Sequence, residues 1–336
     1  MRLLVVSFAF PPFNSIGGVR VGKIAKYMLT FGHDVRVITA RDQPFGPTLP
    51  LEIPADKVIS SNGLTMRGKS AQLSSGVPST ANQNSTREIA WKPLLKRAIS
   101  YPYKTLIDFP DSNIGWLPYA ESAGARLFKT WRPDLIFASS PPPTSLWVAH
   151  RLARTHGVPW VADLRDLWVD HPYYDQPRWR KVIEQKLERR VLLSAAGVTT
   201  VSPPLADTLK MKYGKSARVV LNGFDPADYP AKSEVPFDDG RLRILYTGMI
   251  YPGKRDPRPL LKALQRLGAR AERVRVVFYG FFLETLRPMI RSYGVEHLVE
   301  VHDPVSFKDS LRMQSEADIL LLLLWNDPSD RGVYTG

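Results

Sequence analysis

The chain has 336 residues, 46 Lys and Arg against 32 Asp and Glu (net charge +14), and no cysteine. Its 44% hydrophobic and 23% charged residues are a globular composition at a length suited to two domains, which excludes disordered and fibrous classes. The missing thiol excludes disulfides, a cysteine nucleophile, iron–sulfur clusters and cysteine-ligated zinc.

From the N-terminus, the apolar run Leu3–Phe10 reads as a buried strand. Pro11-Pro12 ends it without a cleavage site, so it is not an export signal. Val21, Ile24, Met28 and Phe31 recur at helical spacing, Gly32 suits a helix end, and Val35–Thr39 is the next strand. Residues 60–88 are rich in Ser, Asn, Thr and Gly and read as a long flexible insertion in the first domain. Trp91–Leu106 then interleaves cations with aromatic and aliphatic side chains. The alternation resumes with a strand at Asp134–Ser139, a helix at Thr144–His156, a strand at Pro159–Asp163, a helix at Arg178–Ala196, a strand at Val198–Val201, a helix at Pro203–Tyr213 and a strand at Arg218–Leu221.

A Pro-bearing linker runs from Asn222 to Gly240. Strands at Leu242–Thr247, Val274–Tyr279, Leu298–His302 and Asp318–Leu324 follow, alternating with helices at Pro257–Leu267, Glu284–Tyr293 and Phe307–Gln314. Strands separated by single helices require right-handed crossovers and parallel sheets. The expected fold is α/β, with two facing Rossmann-like, doubly wound domains spanning residues 1–225 and 226–336. The longest late apolar run, Ile319–Trp325, is far short of the roughly 20 residues that span a bilayer, so the expected location is cytoplasmic or peripheral. Residues 1–200 hold 26 basic and 15 acidic side chains, and residues 201–336 hold 20 and 17, so most of the excess charge belongs to the first domain.

Four places carry candidate chemistry. Gly17-Gly18, just before the first helix, either let a ligand approach the helix N–H groups or simply make a tight turn; the dinucleotide spacing is absent. Asp163-Leu164-Arg165-Asp166-Leu167-Trp168 puts two carboxylates and a guanidinium at a strand's carboxyl end, where open α/β sheets bind ligands. Arg165 there could hold an anion or pair with a neighbouring carboxylate, and Asp166 could accept a hydroxyl proton or cap the loop. In the second domain Gly248, Lys254 and Arg255 precede a Pro-led helix, an arrangement suited to a diphosphate although without Walker spacing. Gly280, at the end of the next strand, is a second point of backbone approach. The six histidines are scattered, and no Asp-x-Asp pair occurs to bridge a metal to a diphosphate. No metal site is therefore expected, and no nucleic-acid motif accompanies the positive charge.

Phe10-Pro11-Pro12 with Gly17-Gly18-Val19-Arg20, Gly32-His33-Asp34-Val35, Pro110-Asp111, Ser139-Ser140-Pro141-Pro142, Ala162 to Trp168, Val201-Ser202-Pro203, Asn222-Gly223-Phe224-Asp225 and Gly248 with Lys254 occur in one order along the chain. In this the sequence resembles the family-4-like glycosyltransferases of bacterial surface-polysaccharide assembly, which have the two-domain GT-B fold. The resemblance implies transfer of a sugar from a nucleotide-diphosphate donor to an acceptor hydroxyl, with retention of configuration, no obligatory metal and no cofactor besides the donor. It implies donor diphosphate binding by Gly248, Lys254, Arg255 and Gly280. The acceptor, a glycan or a polyprenyl-linked one, falls to Gly17, Gly18, Arg20 and Asp163, with Arg165 and Asp166 at the reacting centre. Positioning is the safer role for Asp166, because in such retaining enzymes the donor phosphate itself takes the acceptor proton.

The pattern departs from the family at Met249, where an Arg is common. The family's chain also continues past Gly332–Gly336 into a ribose-gripping helix, so a C-terminally truncated second domain is expected. Trp91, Lys92, Lys96, Arg97 and Lys104 are candidates for contact with an anionic membrane surface. Two alternatives stay open: a sugar-nucleotide epimerase of the same fold, and a non-catalytic acceptor-binding module.

Overall fold

The structure, a computed structural model, describes residues 1–43, 46–63, 108–229, 240–251, 253–281 and 283–333. The membrane-contact candidates at 91–104 and most of the 60–88 insertion lie outside the described residues. Contacts group the chain into two units, Met1–Gly223 with Arg331–Gly336, and Phe224–Asp330. The boundary falls close to the expected 225. The end of the chain differs from expectation by grouping with the first unit, where the Ser202 hydroxyl donates to the Gly332 carbonyl at 2.8 Å.

The first unit carries a parallel sheet of seven strands: β1 (Arg2–Val6), β2 (Asp34–Ala40), β3 (Val58–Ser61), β4 (Leu135–Ser140), β5 (Trp160–Leu164), β6 (Gly197–Thr200) and β7 (Arg218–Val219). Their order is β3-β2-β1-β4-β5-β6-β7. The register runs Val5 beside Val37 and Phe137, then Ala138 beside Ala162 and Ala162 beside Val198. Side chains along β1 alternate between two buried layers. Leu3 and Val5 pack with Val21, Ala25, Val35 and Val37 on one face, while Leu4 and Val6 join Ile38, Ile136, Leu146 and Leu152 on the other. A parallel sheet covered on both faces explains why β1 reads as an unbroken apolar run.

The helices of this unit are α1 (Ile16–Thr30), α2 (Leu117–Thr130), α3 (Pro143–His156), α4 (Arg178–Ser194) and α5 (Pro203–Tyr213). Proline in the first turn of α2, α3 and α5 presets the helical φ where no N–H is needed. Left-handed Gly157 and Gly214 end α3 and α5. Helix α2 has no counterpart among the elements expected from the sequence; it buries Leu117, Ala120, Ala123, Gly124 and Leu127. It also places Ser60 and Ser61 in the insertion, whereas both belong to β3; Ser61 accepts from the Trp116 indole at 2.8 Å.

The second unit has four parallel strands, β8 (Leu242–Thr247), β9 (Val274–Tyr279), β10 (Val299–His302) and β11 (Ile319–Leu320), in the order β10-β9-β8-β11. The helices α6 (Arg258–Leu267), α7 (Leu286–Tyr293) and α8 (Phe307–Glu316) alternate with them. The core gathers Tyr246, Leu261, Leu264, Val276, Phe278, Leu286 and Ile290. Strand β11 is far shorter than the expected Asp318–Leu324, because pairing with β8 covers only Ile319 and Leu320 before one last bond from Leu321 to Leu245. Among the described residues no helix is long and apolar enough to cross a membrane. The fold is thus α/β with two Rossmann-like parallel sheets, the GT-B class.

Candidate active site

In the first sheet the strand order reverses between β1 and β4, and in open α/β sheets ligands bind outside the carboxyl ends at such a switch point. Helix α1 starts there. Ser15 caps it, its hydroxyl accepting the Gly18 N–H at 3.0 Å, and Val19 N–H reaches the Ser15 carbonyl at 2.9 Å. Gly17 and Gly18 are therefore inside the first turn, not before the helix, and the Gly18 N–H is already satisfied. Of the pair, Gly17 is the one that lies against Arg165.

Arg165 follows β5 and is held beside β4 by its backbone N–H, which donates to the Ser140 carbonyl at 3.1 Å. Its guanidinium lies against Gly17. A Cβ added there would overlap Nη1 and sit 3.3 Å from Cζ, so only glycine admits the cation to the helix terminus. Arg165 Nε donates to Asp166 Oδ2 at 3.3 Å, and each side chain keeps 18% of its surface exposed. A guanidinium, a carboxylate and the positive end of a helix dipole thus converge at one accessible place.

Asp163 and Arg20 are spent differently. Asp163 is fully buried, and its carboxylate receives Ser139 Oγ at 2.8 Å, Thr199 Oγ1 at 2.7 Å and Arg20 Nη2 at 3.2 Å. Arg20 uses its remaining donors on the carbonyls of Val220 and Leu221 and on Asn222 Oδ1, each at 3.1 Å. The pair clamps α1, β4, β5, β6 and the chain leaving β7 together. The expectation that these two residues face an acceptor is corrected: every lone pair and N–H they could offer is taken within the protein.

Asp111 likewise serves the scaffold, accepting Thr144 N–H at 2.7 Å and Thr144 Oγ1 at 2.8 Å at the start of α3, and Asn113 N–H at 2.8 Å. Desolvation raises its carboxyl above the usual range, opposed by those bonds.

In the second unit the switch point falls between β8 and β11. After β8 the chain turns at Gly248 (φ 156°), whose N–H donates to the Tyr279 carbonyl at 2.9 Å. Gly280 is a glycine because Gly248 lies on it: a Cβ would collide with the Gly248 carbonyl oxygen and come within 2.8 Å of its carbon. The close approach expected of a ligand at Gly280 is thus made by the protein's own backbone. Lys254 and Arg255 both hang from a turn closed on the Tyr251 carbonyl at 3.0 Å. The Lys254 ammonium stands 4.5 Å from the centre of the Trp325 ring, in the loop after β11, and Arg255 lies 5.0 Å from the Tyr251 ring. Both cations are therefore oriented by aromatic faces at the switch point.

The start of α6 differs from the expected anion seat. Asp256 caps it, its Oδ1 accepting the Arg258 N–H at 3.0 Å while Arg258 Nε binds the same carboxylate at 2.8 Å. Those bonds hold Asp256 below the usual carboxylate range. The helix terminus is filled by a carboxylate, and Lys254 and Arg255 carry the positive field by themselves. Trp325 and Tyr251 were invisible as partners in the sequence, since Trp325 stands 71 positions from Lys254 and nothing in its neighbourhood marks it.

A sequence model of the Glycosyl transferase 4-like domain matches residues 17–224. No curated protein matches by sequence. Among solved structures, sucrose-phosphate synthase from Thermosynechococcus elongatus is similar at 14% identity and TM-score 0.59, over 95% of this chain and 74% of that one. The catalytic domain of starch synthase IV from Arabidopsis thaliana, bound to ADP and acarbose, matches at 10% identity and TM-score 0.58, over 95% and 77%. A glycosyltransferase from Rickettsia africae matches at 16% identity and TM-score 0.55, over 95% and 71%. At these identities the structures share the fold.

Proposed function

The chain belongs to the glycosyl transferase 4-like family, a family of sugar transferases, and on that premise we propose that its donor is a nucleotide-diphosphate sugar and its acceptor a glycan or lipid-linked hydroxyl in cell-surface polysaccharide synthesis. The observation that carries the reading is the Arg165 guanidinium lodged on Gly17 at the first turn of α1, with Asp166 beside it. The positive end of the α1 dipole with an adjacent cation favours a negatively charged group, and Asp166 offers a hydrogen-bond acceptor to a hydroxyl next to it.

In this proposal the first unit receives the acceptor. Gly17 leaves room for the cation, Arg165 holds charge that is negative in the substrate or in the transition state, and Asp166 orients the attacking hydroxyl. The second unit receives the donor, with Lys254 and Arg255 neutralising the diphosphate as it departs. That role requires fixed positive charge more than proton transfer, which suits cations braced on Trp325 and Tyr251. Gly248 shapes the turn beneath them. Transfer proceeds with retention and without an obligatory metal.

The test follows nucleoside diphosphate release from a panel of nucleotide sugars, with and without polyprenyl-phosphate or glycan acceptors and with and without EDTA. Acceptor-dependent release that survives EDTA and falls in Arg165→Ala supports the reading. Isomerisation of the donor sugar without acceptor would assign an epimerase instead.

A further inference from the structure

Helix α4 turns charged side chains inward over its first three turns, ahead of the buried Val191 and Leu192 at its end. Arg180, Glu184 and Glu188 are buried in the first unit, at 3%, 0% and 0% exposure. Arg180 donates to Glu184 at 2.6 Å and to the Pro110 carbonyl at 3.1 Å, Tyr174 donates to Glu184, and Tyr213 donates to Glu188 at 2.7 Å. The opposite face exposes Trp179 (48%), Val182 (52%), Ile183 (48%) and Leu193 (42%). Residues 179, 182, 183, 186, 190 and 193 follow one another at helical spacing, so these apolar side chains form a stripe with Lys186 and Arg190 within it, both exposed. Arg178 and Arg189 are exposed at its edge.

A water-facing helix normally does the reverse, because burying charged groups costs more than any pairing returns unless every partner is in place, and Glu188 Oε1 has none among the described residues. The effect is that both carboxylates of α4 are withdrawn from the outer face. What remains is cationic and apolar with no acidic side chain of the helix on it. The nearest exposed carboxylate in sequence is Asp175, ahead of the helix. Positive charge continues onto α3 at Arg154; Arg151 beside it is paired with Glu121. Burial, and then the charges of Arg190, Arg154 and Arg151, depress the His150 imidazole.

We propose that the outer face of α4 docks the protein onto an anionic lipid surface. Val182, Ile183 and Leu193 enter the headgroup–acyl boundary with the Trp179 indole, while Lys186, Arg178, Arg189 and Arg190 reach lipid phosphates. The charge pattern selects lipid over a second copy of this face, which would set cation against cation. The inference deepens the lipid-linked acceptor of the proposed function by naming the surface that brings the first unit to it, and it rests on that reading only for its purpose.

Sedimentation of the full chain with phosphatidylglycerol-containing and pure phosphatidylcholine vesicles tests it, using K186Q/R190Q and W179S/I183S. The expected result is salt-sensitive binding to anionic vesicles, reduced about fivefold per neutralised cation and abolished in W179S/I183S, with unfolding midpoints retained. Diphosphate release with a water-soluble glycan acceptor should be the same in all three proteins, which separates loss of docking from failure of the enzymatic reading. No binding by the wild type, undiminished binding by both variants, or a dimer that dissociates in W179S/I183S without vesicle binding would each overturn the proposal.

Discussion

Replacing Gly17 by Ala separates site geometry from stability. The added Cβ overlaps Arg165 Nη1, the far end of a flexible side chain, while the helix backbone need not move. The guanidinium must swing away, weakening its 3.3 Å bond to Asp166. That partly exposed pair is worth about 0–1 kcal/mol, and exchanging glycine for alanine in a helix returns up to about 1 kcal/mol. Stability should therefore change by no more than about 1 kcal/mol, or about 2–4 °C in the unfolding midpoint of a unit this size. Activity should change far more. Withdrawing a charged hydrogen-bond donor from its anion costs about 1.5–3 kcal/mol, which is about 10–150-fold in kcat/KM. Acceptor-dependent nucleoside diphosphate release, measured in Gly17→Ala, Arg165→Ala and the double variant, reads this out. Both replacements remove one interaction, so the double variant should be no worse than Arg165→Ala alone. Wild-type turnover in Gly17→Ala, or losses that multiply, would refute the reasoning.

Gly280→Ala should disrupt the second unit, because the obstructing Gly248 carbonyl belongs to the backbone; circular dichroism melts should show loss of one transition with the first unit's retained. Lys254→Ala should raise the Kd for a nucleoside diphosphate by about tenfold or more in calorimetry, since the charge it removes is preoriented on Trp325. Glu188→Gln should stabilise the first unit near neutral pH. Desolvation raises the Glu188 carboxyl in the folded chain, so its contribution is full below the unfolded value and is lost as pH rises through the folded one. Unfolding midpoints followed upward from pH 4 should fall less in the variant; parallel curves would contradict the assignment.

The parallel alternation was legible because strands covered on both faces, such as β1 and β9, appear as short unbroken apolar runs. Hydroxyls disguised β3 as loop. At the site, Arg165 and Asp166 were readable from their place at the end of β5, and Lys254 from the turn after β8. The role of Asp163 was not. A carboxylate two residues before Arg165 looks equally available in sequence, and only the convergence of Ser139, Thr199 and Arg20 from three other elements reveals that it is consumed. Gly280 misled for the same reason: a glycine at a strand end records that something approaches closely, and the neighbouring strand's turn met that need before any ligand. The inverted face of α4 escaped because helical periodicity reports a stripe without saying which stripe is inward.

In the proposed function Arg165, admitted to the start of α1 by Gly17, serves sugar transfer from a nucleotide-diphosphate donor. The most direct measurement is a single-turnover assay with a sugar-labelled nucleotide donor and a polyprenyl-phosphate or glycan acceptor, comparing wild type with Arg165→Lys and Arg165→Ala. Label should reach the acceptor at equal stability, with Arg165→Lys intermediate and Arg165→Ala at least about tenfold slower. Label transfer unaffected in Arg165→Ala would contradict it.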